Sequence, residues 1–468
     1  MVTVLSGLSQ NLSGRFLPRV KSDKELCAVW RGLFLFLLSC FPVAAQVAPI
    51  PTPTQLPGSP FAIKKNWIIG GTGSWDYLAV DPTAERLFIA HSRTVQVVDL
   101  ASGSIAGEIG SFRNAHAIAL DDIGQYGYIS DGPADAIAIF DRTTLAIQAT
   151  IPIGCSPRSI AFEPRSKLLF AVCGSNGVSP AQPPHSVPRP SGSAPRTPRT
   201  AGQPSAAGND EDNNFAGISH VVAIDTEKNT AVADISISGD FRFAQADGVG
   251  HVYVTVAEAE RMEFSNGHTN RYLIPPHIAK FDGPAVAAEV QRLSEHQTNS
   301  DSPVSMDWVG DDGRGERAGF STVPLPSNCK RPQGLAVDSK DFRLFAACND
   351  QQLLILNATD GHVIATLTTG PGDDVTGYDP ERELIYSANG SGYGSLTIIQ
   401  QDANTDSYAV IQNLPTLARA RTLAVDSSSG NVYLVTDYVG VDLTPRGGFA
   451  PIKTTPISGS FQVLVIGH

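Results

Sequence analysis

A short strand-like phrase ending in an acidic residue returns seven times along this chain, and that recurrence limits the fold more than any other feature. It reads Leu78-Ala79-Val80-Asp81, Ile118-Ala119-Leu120-Asp121, Ile160-Ala161-Phe162-Glu163, Leu335-Ala336-Val337-Asp338 and Leu423-Ala424-Val425-Asp426. Weaker copies are Ala244-Gln245-Ala246-Asp247 and Thr376-Gly377-Tyr378-Asp379. Successive acidic anchors lie 40, 42, 84, 91, 41 and 47 residues apart. After each anchor come a polar turn and three further runs, for example Arg86-Leu87-Phe88-Ile89, Val95-Gln96-Val97-Val98-Asp99 and, in another copy, Val363-Ile364-Ala365-Thr366-Leu367. The runs are short, rich in β-branched and aromatic residues, and bounded by Gly, Asp, Pro and Ser, which is strand chemistry. No helical periodicity is sustained.

Four strands per roughly 42 residues, repeated seven times, predict an all-β seven-bladed propeller of four-stranded antiparallel blades. The last unit has only three runs, at 421–426, 431–436 and 461–466. A spare run, Asn66-Trp67-Ile68-Ile69-Gly70, precedes the first anchor. The economical expectation is that this N-terminal strand completes the last blade and closes the ring, removing two open sheet edges. The two doubled intervals read as insertions. Residues of about 175–217 are Pro-, Ser- and Gly-rich and too polar to offset their ordering entropy, so a disordered excursion is expected. Residues of about 283–319 read as a second, polar insertion.

The blade phrases resemble those of the YncE-like, YVTN-type (WD40/YVTN repeat-like) β-propeller proteins. So do Ala115-His116-Ala117-Ile118-Ala119-Leu120, Cys329-Lys330-Arg331-Pro332-Gln333-Gly334-Leu335-Ala336-Val337-Asp338 and Ala420-Arg421-Thr422-Leu423-Ala424-Val425-Asp426. The resemblance covers about 64–468 outside the insertions. It implies seven blades and export, and it implies no shared reaction; one member of the family binds nucleic acid.

Arg31, the apolar Leu33–Leu38 and the small Ala44 and Ala45 follow the order of a secretory signal, so residues 1–45 are expected to be cleaved after Ala45. A lipoprotein signal ending at Cys40 is the alternative. The apolar stretch is too short for a membrane span. A Pro-rich linker at 46–63 and a periplasmic or secreted propeller at 64–468 follow. Cys155 and Cys173, then Cys329 and Cys348, are separated by 18 and 19 residues and lack the close spacing of zinc sites. Each pair brackets the first two strands of a blade, so two intrablade disulfides are expected.

The chain carries 34 basic and 46 acidic residues, a formal charge of -12. Removing the net +3 of residues 1–45 leaves -15, a balance that repels phosphate backbones. Metalloprotease, nucleophile-elbow, P-loop and EF-hand signatures are absent. Gly390-Ser391-Gly392-Tyr393-Gly394 reads as a hairpin turn, and Asp210-Glu211-Asp212 as a solvated charge run.

The repeat register gives the best candidate site. Five residues before each anchor stand Asp76, His116, Arg158, Arg242, Gln333, Asp374 and Arg421, all polar or charged. Entering the innermost strands, they should ring one mouth of the channel and suit a small anion or a carboxylate- or phosphate-bearing molecule. Arg113, Asn114, Lys330, Arg331, Asp373 and Arg419 could extend the site. Two before the anchor stand mostly small residues, Ala79, Ala119, Ala161, Gln245, Ala336, Gly377 and Ala424, as close packing of inner strands requires.

The first functional expectation is a non-enzymatic, monomeric binding or scaffold propeller of the cell envelope, with a small anionic molecule or a protein partner at this mouth. No metal or other cofactor is expected. The alternative is a lactonase-like or other hydrolytic propeller using His116 with Asp76 or Asp374. A second alternative, single-stranded DNA binding, would depend on Arg158, Arg242 and Arg421.

Overall fold

The computed structural model describes residues 60–121, 124–174, 215–265, 268–297, 302–308, 319–348, 351–442 and 453–468. The leader, its Ala45 and Cys40 cleavage alternatives and most of the Pro-rich linker lie outside these residues. So does nearly all of the insertion expected at 175–217.

The fold is an all-β, seven-bladed propeller. Blade one is Trp75–Asp81, Arg86–His91, Thr94–Asp99 and Ile105–Gly110, paired in that order. The same meander repeats in every blade, and the first strands touch one another in cyclic order until Leu423–Asp426 of blade seven meets Trp75–Asp81 of blade one.

The acidic anchors are structural. Each ends or directly follows a first strand, and six of the seven, all but Asp121, cap the turn that follows. Asp81 Oδ1 accepts from the Ala84 N–H at 3.0 Å, Asp338 Oδ1 from Lys340 at 3.0 Å and Asp426 Oδ1 from Ser428 at 3.0 Å. These carboxylates are buried yet satisfied, which is the condition under which burying them is tolerable. The carboxylates closing the third runs do the same one turn later, as when Asp141 Oδ1 accepts from Thr143 at 2.9 Å and Thr144 at 2.7 Å.

The small residue two before the anchor has a partner of large volume. Ala79 pairs with Phe88, Ala119 with Tyr128, Ala161 with Phe170, Ala336 with Phe345, Gly377 with Tyr386 and Ala424 with Tyr433. Those rings are almost fully buried. A small residue on the crowded inner strand faces an aromatic on the wider second strand, so each blade tapers toward the axis. In blade four the pair is Gln245 and Tyr253.

Ring closure is as expected, with a longer strand. Ala62–Ile68, rather than Asn66–Gly70, runs antiparallel to Gln462–Gly467. Trp67 stacks on Tyr433 at 5.9 Å, and Asn66 Nδ2 donates to Gln462 Oε1 at 2.6 Å. Gln412 of blade six exchanges two 3.0 Å hydrogen bonds with the Phe61 backbone, so the strand is pinned at its start. The paired Lys64 and Lys65 hide this beginning in the sequence.

Two expectations need correction. The insertion beginning at 283 contains an α-helix, Gly283–Ser294, so helical periodicity is present after all. Asp282, which in other blades would close the third-to-fourth turn, accepts from the Ala285 N–H at 2.9 Å and caps the helix, with proline in its first turn. Val286, Val290 and Leu293 pack onto the core of blades three and four. Beyond the helix, Val304–Asp307 adds a fifth, parallel strand to the outer edge of blade three, and Trp308 packs on Phe320 and Phe281. Two hairpins also went unread, Ala259–Ser265 with His268–Ile274 in blade four and Val439–Asp442 with Lys453–Pro456 in blade seven.

Strand alternation sorts these additions by face. The entry to each first strand and every second-to-third connection lie at one end of the ring. Both hairpins, and Cys173 and Phe215 flanking residues 175–214, are therefore at that end, whereas the helix starts from the opposite end.

Candidate functional site

The residue five before the anchor occupies a β-bulge. The register shifts between Trp75 and Leu78, Ala115 and Ile118, Pro157 and Ser159, Phe241 and Ala244, Pro332 and Leu335, and Asp373 and Val375. In six blades, then, Asp76, His116, Arg158, Arg242, Gln333 and Asp374 are left out of the ladder. A bulge bends the strand and re-aims a side chain. Arg421 precedes the paired part of its strand, Leu423–Asp426.

Four of the seven, Arg242, Gln333, Asp374 and Arg421, line one cavity of about 610 Å³ together with Trp75, Asp373, Ser391 and Arg419. Below it a second cavity of about 280 Å³ is walled by the inner strands and begins at Tyr77 and Phe243. These two rings come from blades one and four, on opposite sides of the axis, and meet edge-on at 5.2 Å. Together they close one end of the second cavity across the axis.

The charges are arranged in pairs. His116 Nδ1 donates to Asp76 Oδ2 at 2.5 Å while its Nε2 accepts from Asn114 Nδ2 at 3.0 Å. Arg421 Nη1 stands 3.4 Å from Asp374 Oδ2, and Arg242 pairs with Asp240. Arg419 reaches the buried Asp437 at 2.6 Å and lies 4.6 Å over the Trp75 ring. Arg158 lies against Gly174 and has no carboxylate partner among the described residues. Of the proposed extensions, Lys330 pairs with Glu258, Arg113 donates to Pro133 O and Arg331 is exposed.

Burial pushes the Asp374 carboxyl above its ordinary value; Asp76 adds to this and Arg421 opposes it. The Tyr77 phenol is raised well above its ordinary value by loss of hydration, then by Asp76 and Asp374, with Arg421 and Arg242 opposing. Two donors on the cavity wall, Arg242 Nε and Trp75 Nε1, are buried with no acceptor among the described residues. Unmet donors of this kind cost about 1–3 kcal/mol each, which an acceptor in the cavity would offset.

Both disulfides form, Cys155–Cys173 and Cys329–Cys348, with Cα separations of 6.0 and 5.2 Å. They tie the approach to Arg158 and to Gln333 onto the second strand of each blade. In blade two the equivalent position is Asp131, whose carboxylate accepts from the Arg113 and Asn114 N–H groups at 2.8 and 2.9 Å.

Sequence reasoning missed Tyr77, Phe243 and Trp75. A signal was present: four before the anchor the other blades carry Ala117, Ser159, Gly334, Val375 and Thr422, so two large rings stand out. Among the described residues no cluster of three or more metal-ligating side chains occurs, and no helix is long and apolar enough to cross a membrane. No protein-family model matches the chain, and no curated protein does.

Proposed function

We propose that this chain is an exported, YncE-like binding propeller that holds a small ligand bearing a carboxylate or phosphate at its channel mouth. The observation that carries the reading is the unmet Arg242 Nε donor on a cavity wall it shares with Arg421. Guanidinium groups bind such anions through paired donors, and a cavity buries the ligand on several sides. The two disulfides suit an oxidising compartment. Calorimetric titration with small carboxylates and inorganic phosphate tests it. Binding is expected, and Arg421→Gln should weaken it about tenfold or more, the effect of losing a charge-assisted hydrogen bond worth ~1.5–3 kcal/mol. Equal affinity in parent and variant contradicts it.

One observation favours a second, hydrolytic reading. A Cβ placed on Gly132 would lie 3.0 Å from Ser156 Oγ and 3.1 Å from His116 Cδ2, so hydroxyl and imidazole both border this glycine while Asp76 holds the far ring nitrogen. Once Asn114 swings off Nε2, that nitrogen could take the Ser156 proton as Oγ adds to an ester carbonyl carbon and the π pair moves onto oxygen. Collapse then breaks the bond to the alkoxide, which leaves with the proton from Nε2, and water releases the acyl group by the same steps. A fluorophosphonate probe that labels the parent and not Ser156→Ala supports this reading; no labelling ends it.

A further inference from the structure

The mouth is polarised across its axis. Arg242 and Gln333 stand on blades four and five. Asp374 and Asp76 stand on blades six and one, with Arg421 of blade seven between them. The seven ring positions hold three arginines, Arg158, Arg242 and Arg421, against two aspartates, Asp76 and Asp374, so the carboxylates offset most of the positive charge. A site built for an anion alone gains nothing from two carboxylates: each repels the ligand, and each must be held by a partner. Nor does their placement look like simple neutralisation. The Arg421 to Asp374 contact is long at 3.4 Å and half-exposed on the arginine side, while Arg242 gives Nη2 to Asp240 and keeps Nε without an acceptor. On the Arg419 side of the same wall lies the Trp75 ring, with the Arg419 guanidinium 4.6 Å over it.

Resting on the anion-binding reading above, we propose that the mouth takes a small amphoteric ligand, its carboxylate at Arg242 and its ammonium at Asp374, with the intervening carbon chain spanning the cavity whose wall both residues share. Such a molecule supplies the acceptor that Arg242 Nε lacks and a second cation for the loosely paired Asp374. Neither a monocarboxylate nor a monoamine does both, and each leaves one side of the mouth unmatched.

The test is calorimetry on the full exported chain with ω-amino acids from glycine to 6-aminohexanoate, beside monocarboxylates and monoamines of equal length. At least one amino acid should bind tenfold or more tightly than both of its matched probes. Asp374→Asn, which preserves shape, should weaken that amino acid at least fivefold while leaving the matched carboxylate unchanged or tighter. Arg242→Gln should weaken both. If amino acid and carboxylate bind equally, or Asp374→Asn tightens both, the amphoteric assignment is wrong while the anion site stands. If no probe binds at all, both fail. Melting temperatures of the two variants within a few degrees of the parent show that the loss is local.

Discussion

Asp374 shows how a mouth residue can be placed against its own preference. Its carboxyl is held above the ordinary value mainly by burial. The unfolded chain therefore releases this proton first, and the folded protein binds more protons between the two values. Stability contributed by Asp374 is complete below the ordinary carboxylate value and declines as pH rises toward the raised one. Asp374→Asn removes that decline. The difference in melting temperature, variant minus parent, should be more positive at pH 7 than at pH 3; the opposite slope would show that the Arg421 pair outweighs burial. The polar character of the seven residues, Asp76 through Arg421, was legible because the repeat supplies its own alignment. What they contact was not. That His116 meets Asp76, and that Arg242 turns to Asp240, depends on side-chain directions set by the bulges, which leave no mark in composition.

At the level of elements, the rim segments are fastened to the second strands by different chemistry in different blades. Blades three and five use disulfides and blade two uses the Asp131 carboxylate. Blade seven uses Thr436, whose hydroxyl donates to Ala418 O at 2.7 Å. Replacing Cys155 and Cys173 together with alanine should cost about 3 kcal/mol on the chain-entropy account of an 18-residue separation. A denaturant midpoint shift measures this, and a loss below ~1 kcal/mol would mean that the rim is held without the bridge. The cysteine pairing was readable because repeat register places both partners. The helix Gly283–Ser294 was overlooked although Val286, Val290 and Leu293 have helical spacing behind an Asp-Gly-Pro start. Its polar face and its place inside a polar insertion masked a short amphipathic signal.

For the whole molecule, closure is the consequence of a strand far from its partner in sequence. Ala62–Ile68 covers the edge of Gln462–Gly467, and Phe61 is fully buried beside Tyr386 at 6.2 Å. A chain starting at Gly71 should expose that edge, associate more and lose cooperative melting, and a peptide spanning 60–70 should reverse this by adding as a strand. Size-exclusion and circular dichroism report both; a truncated chain that melts like the parent would contradict the closed ring. Blade number and closure could be read from spacing alone, because a seven-fold count with one strand missing and one left over has a single economical solution. The closed end of the second cavity could not, since Tyr77 and Phe243 meet only when blades one and four are brought across the axis.

The most direct measurement of the central claim, that bulged side chains converge on a ligand-binding mouth, is a high-resolution crystal structure of protein purified from its native source. The account predicts ordered non-solvent density in the 610 Å³ cavity within hydrogen-bonding distance of Arg242 Nε and Asp374. Water alone in that cavity, with Arg242 and Arg421 closed onto Asp240 and Asp374 at full contact, would contradict it.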